Sequence, residues 1–118
     1  MTFWKAIAAA MTGAALIATP ALSQSTGFAE FVAQVGADAT FTRGSGVSAV
    51  APKRKGVVIV TFSRSVEACY ALVSVTGKTG YASSAAVEGA PTQIAVSTFD
   101  TTGAVAKRDF NILVRCQD

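Results

Sequence analysis

A chain of 118 residues with two cysteines and a formal charge of +3 has room for a single domain. It contains no histidine, which excludes Ser-His-Asp and Cys-His hydrolases and zinc sites built on imidazole. Ten basic residues against seven acidic ones make too even a balance for the strongly basic face of a nucleic-acid binder.

The N-terminus reads as an export signal. Lys5 precedes an uncharged run over residues 6–18, about the length of a signal core and shorter than the roughly 20 residues of a bilayer span. Pro20 ends any helix, because it lacks an amide proton and clashes with the preceding turn. Ala21 and Ser23 then supply small side chains of the kind a signal peptidase accommodates, so cleavage is expected before Gln24. No basic stop-transfer flank follows, and no cysteine lies near the cut to carry a lipid. The expected organisation is a signal peptide at residues 1–23, an N-terminal lead-in at 24–39 and a β domain at 40–118. Residues 24–118 lose only Lys5 among the charged residues, leaving a charge of about +2. The product is expected to be periplasmic or secreted, with no membrane span in its mature form.

Residues 28–35 are ambiguous. Phe28, Phe31, Val32 and Val35 have a helical spacing, yet the stretch is short and stops at Gly36, so a short strand or irregular lead-in is favoured. Strand signals become regular from Thr40. Residues 40–43 are β-branched and aromatic and end at Gly44-Ser45-Gly46, read as a turn; residues 47–51 form a second candidate, stopped by Pro52. Lys53, Arg54, Lys55 and Gly56 make a turn with a charged tip. Val57–Phe62 is the strongest strand in the chain and is apolar on both faces, as expected of a central strand or one covered by another subunit. Further strands are expected at residues 69–76, 81–88, 93–99 and 110–116, with turns at 77–80, 89–92 and 100–103. In the last strand Phe110, Ile112, Val114 and Cys116 share one face, while Asn111 and Arg115 share the other. Seven or eight short strands without a long amphipathic helix predict an all-β fold. A small antiparallel β-sandwich or barrel is expected, jelly-roll or immunoglobulin-like in outline.

Two cysteines in an exported chain read as one intramolecular bridge, Cys69 to Cys116, with free thiols or an intermolecular bridge as the alternative, and the second cysteine points with core residues. Lys53, Arg54 and Lys55 are the only charge cluster. They read as a solvated hairpin tip that discourages edge pairing, or as a contact for an anionic lipid, polysaccharide or acidic protein. Lys107 and Arg108 read alike, with an ion pair from Arg108 to a nearby carboxylate as the structural alternative to binding. Tyr70 and Tyr81 read as sheet-packing residues, with stacking on sugar rings as the alternative. The carboxylates are scattered, no phosphate loop or metal-ligand cluster is present, and no cofactor or metal is expected.

Two segments carry a resemblance. The first is Val60-Thr61-Phe62-Ser63-Arg64-Ser65-Val66-Glu67-Ala68-Cys69-Tyr70. The second is Ile94-Ala95-Val96-Ser97-Thr98-Phe99-Asp100-Thr101-Thr102-Gly103, followed by Arg108-Asp109-Phe110 and Val114-Arg115-Cys116. Together they resemble a family of small exported bacterial β domains of uncharacterised function with two paired cysteines. Members of that family often end longer secreted chains, sometimes beside repetitive stalks, and this chain is nearly the bare domain. The resemblance implies a surface or assembly module. The expected function is therefore an exported non-enzymatic binding or structural module, whose partner is a second copy, an envelope or extracellular protein, or a glycan. The alternative is a small periplasmic inhibitor or ligand carrier that acts through its loops.

Overall fold

A computed structural model describes residues 28–117, so the expected signal peptide at 1–23 lies outside the described residues. Eight strands follow one another: β1 (Phe28–Val35), β2 (Phe41–Ser45), β3 (Val47–Arg54), β4 (Val57–Phe62), β5 (Tyr70–Thr76), β6 (Tyr81–Ala86), β7 (Gln93–Phe99) and β8 (Asp109–Gln117). They form two four-stranded antiparallel sheets. Sheet A has the order β2-β1-β8-β5 and sheet B the order β3-β4-β7-β6.

The inner strands build the core through the two-residue period of extended chain. In β8 the expected face is buried, with Phe110, Ile112, Val114 and Cys116 all at 1% exposure or less. They pack with Ala33 and Val35 of β1 against Val58, Val60 and Phe62 of β4 and Ile94 and Val96 of β7. The Phe31 and Phe62 rings meet across the sheets, with centroids 5.9 Å apart. β4 runs between β3 and β7, the central position expected of it.

Three local readings change. Residues 28–35 are not a lead-in but an inner strand, paired with β2 on one side and β8 on the other. Ala29, Phe31, Ala33 and Val35 face the core, so small alanines carry the alternation that the larger residues obscured. Pro52 does not stop β3. That strand is an edge with a register irregularity at Pro52/Arg54, where proline is tolerated, and it runs on to Arg54. Nor is Gly44-Ser45-Gly46 a turn that ends a strand. Gly44 lies within β2, and Gly46, at φ +82°, is the corner where the chain passes from sheet A to sheet B.

The bridge joins Cys69 to Cys116 with Cα atoms 4.4 Å apart. It extends the β5–β8 register by one pair beyond Tyr70 opposite Arg115, so it links neighbouring strands of one sheet. An immunoglobulin sandwich instead has its disulfide between sheets and a different strand order. The molecule is a sandwich with its own topology, in which the first strand pairs with the last.

Candidate functional site: the outer face of sheet A

Residues opposite one another in an antiparallel ladder share a face. The register of sheet A therefore lays three rows across its outer surface. The middle row is Ser45, Val32, Leu113 and Leu72; one flank is Arg43, Gln34, Asn111 and Ser74; the other is Glu30, Arg115 and Tyr70. An apolar stripe thus crosses three strands between two polar rows.

Most of these side chains lie open to solvent, while Leu113 and Gln34 are half-buried between their neighbours. Tyr70 is 78% exposed, Leu72 69% and Val32 43%. Val32, Leu72 and Leu113 line an open groove of about 540 Å³, with Arg43, Gln34 and Asn111 along it. Arg43 Nε donates to Gln34 Oε1 at 2.9 Å, which orients the guanidinium beside the stripe. Across the stripe Arg115 Nε lies 3.7 Å from Glu30 Oε2, and both side chains are about half exposed. An ion pair so open to water contributes at most about 1 kcal/mol. The outer face of sheet B is different in kind. Its central row is Ala51, Ile59, Ala95 and Ala85, and the next includes Ser97 and Ser83. Its larger side chains are Ile59, Val57 and the Tyr81–Phe99 pair at the far end, and of these only Tyr81 is exposed.

The residues singled out in the sequence fall elsewhere or behave otherwise. Lys53 and Arg54 end β3 and Lys55 begins the following turn; all three are exposed, on sheet B, and take no part in the groove. Arg108 donates from Nε to Thr79 O at 3.2 Å and from Nη1 to Lys107 O at 3.0 Å, and its charge also acts on the Asp100 carboxylate. It fastens the 77–80 turn to the chain entering β8. Tyr70 and Tyr81 are not packed into the sheets: Tyr81 is 59% exposed and Tyr70 more so.

Asp100 and Asp38 hold turns. Asp100 Oδ1 accepts from the Thr102 hydroxyl at 2.6 Å, from Thr102 N at 2.9 Å and from Ala104 N at 3.1 Å. These bonds, the Thr102 hydroxyl foremost, lower its pKa below 3.8. Asp38 is lowered likewise, chiefly by the Thr40 hydroxyl at 2.7 Å. Among the described residues no three metal-ligating side chains converge.

Charged and aromatic residues stand out along the chain, and neither marks the stripe. A signal for it exists in β5, where Tyr70, Leu72 and Ser74 alternate with Ala71, Val73 and Val75. The two largest residues sit on the face that the smaller, core-facing ones leave to solvent. Leu113 carries the same message between Asn111 and Arg115.

The fold and this face define a disulfide-closed, two-sheet β-sandwich with one sculpted outer surface. Comparison of the chain with family models, with curated proteins and with solved structures yields no match.

Proposed function

We propose that the protein is an exported, non-enzymatic binding or assembly module that works through the outer face of sheet A. The observation that carries this reading is the outward apolar row Val32–Leu113–Leu72, exposed at Val32 and Leu72 and half-buried at Leu113. Keeping leucine at 69% exposure on a small sheet forgoes burial of about 1.5–3 kcal/mol per side chain, and a contiguous apolar patch of this sort marks interaction surfaces. Export is supported by the character of residues 1–23 and by the bridge, since disulfides persist in oxidising compartments. The resemblance to small exported bacterial domains points the same way. The non-enzymatic reading rests on a chain without histidine and on Asp38 and Asp100 carboxylates engaged in holding turns. The ligand-carrier alternative draws on the groove volume, which lies within the range of small-molecule sites, and would use this face rather than the loops.

The test is photo-crosslinking in the producing cell, with the reactive amino acid placed at Leu72 or Leu113 and, as control, at Ala85 on sheet B. Adducts of defined mass at 72 and 113 but not at 85 are expected. Equal labelling at all three positions, or none at the first two, would overturn the reading.

A further inference from the structure

The four edge strands are not protected alike. β2 runs into β3 around Gly46, and together they form one side of the sandwich; β5 and β6, joined through residues 77–80, form the other. On the first side, β2 carries Arg43 and lies along a register irregularity in β1 at Gln34/Val35. β3 carries Pro52, Lys53 and Arg54 and has two irregularities of its own. Charge, proline and bulges are the devices that keep another strand from adding to an edge. On the second side they are missing. β5 (YALVSVT) and β6 (YASSAA) contain no charge and no proline, and each pairs with its neighbour in unbroken register. The three most exposed large apolar or aromatic side chains are also here: Tyr70 and Leu72 on β5, and Tyr81 on β6.

β5 has one property that β6 lacks: the apolar row of sheet A runs out to its edge and stops at Leu72. We infer that β5 is the interface for a second copy of this chain, added antiparallel with Leu72 opposite Leu72 of the partner subunit. Two sheets A would then become one eight-stranded sheet, and the row Val32–Leu113–Leu72 would continue into its own image across the two-fold axis. A one-residue slip would set outward side chains against inward ones, and so is disfavoured. A shift by two in one direction would set Leu72 against Ser74 and break the apolar row. The isologous arrangement needs only one patch that is complementary to itself. An edge contact of this length falls below the roughly 1,200 Å² of standard interfaces, so the dimer is reversible and concentration-dependent.

This inference shares Leu72 with the proposed working face but fails separately from it. Sedimentation of the purified, oxidised protein should show a monomer–dimer equilibrium shifting to dimer as concentration rises. Leu72→Lys sets two ammonium groups opposite each other and should leave only monomer, as should Leu72→Glu, while an equimolar mixture of the two variants should restore the dimer. Position 72 is exposed enough that both variants should fold, and circular dichroism confirms this before mixing. A monomeric wild type at about 1 mM, far above the range of such weak contacts, would overturn the inference. So would a Leu72→Lys dimer, or a mixture that stays monomeric. Crosslinks from 72 and 113 to another partner, with a strictly monomeric protein, would retain the working face and reject the edge.

Discussion

Replacing Cys69 and Cys116 together by alanine should cost about 4 kcal/mol of folding free energy, and the structure shows why little else should change. The bridge closes a loop of 47 residues. In the chain-entropy relation this restricts the unfolded chain by about 14 cal/mol/K, or about 4 kcal/mol at 25 °C. In the folded state the same ends are already held by seven consecutive β5–β8 residue pairs, from Tyr70–Arg115 to Thr76–Asp109. The variant should therefore keep the native far-UV spectrum while its unfolding midpoint falls. For a domain of this size the thermal midpoint should drop by about 20 °C. Cys116 is 1% exposed, so alanine there also leaves a small void. Comparing the variant with the reduced wild type, which keeps both sulfurs, separates that void from loop entropy. Guanidinium titration followed by circular dichroism is the assay, since residues 24–118 contain no tryptophan. A loss below about 1 kcal/mol with an unchanged denaturant slope would refute the reasoning, because the bridge would then barely restrict the unfolded chain.

Gly46→Ala should destabilise by more than about 2 kcal/mol: φ is +82° there, and a Cβ would lie 2.1 Å from the Phe31 ring. Gly89→Ala, with φ +78° but nothing within 4 Å, should cost clearly less in the same denaturation assay. Thr98→Val should cost about 1–2 kcal/mol, because the 3%-exposed Thr98 hydroxyl donates to Ala106 O at 2.6 Å and holds the 104–106 segment on β7. Asp100 and Asp38 have pKa values lowered in the folded state. Their stabilisation is therefore complete above the ordinary 3.8 and fades as pH falls through the lower folded values. Urea midpoints measured downward from about pH 5 should fall in wild type and less steeply in Asp100→Asn. An equal fall in both would remove Asp100 from the account.

How much of this was legible depends on where each strand lies. β4 and β7 can be read to the residue, because inner strands rich in Val, Ile and Thr leave no competing pattern. The alternation of β8 is equally plain, and it places Cys116 in the core before any pairing is known. β1 is harder. Its inward positions include Ala29 and Ala33, while outward Val32 supplies a false helical spacing. Pro52 argues against a strand only if that strand is central, and edge position is a property of the whole sheet. The candidate site is the least legible part. Val32, Leu72 and Leu113 come from three separate strands, and only the register of β1, β8 and β5 brings them into one row.

The most direct test of that row uses the unmodified protein. Hydroxyl-radical footprinting in the native cell envelope or secreted material, set against the purified protein at low concentration, reads the accessibility of each side chain. Protection of Val32, Leu72 and Tyr70 on this face, with Val105 on its exposed loop labelled equally in both, is the predicted result. Labelling of Tyr70 and Leu72 that does not change between the two settings would contradict a working surface on sheet A.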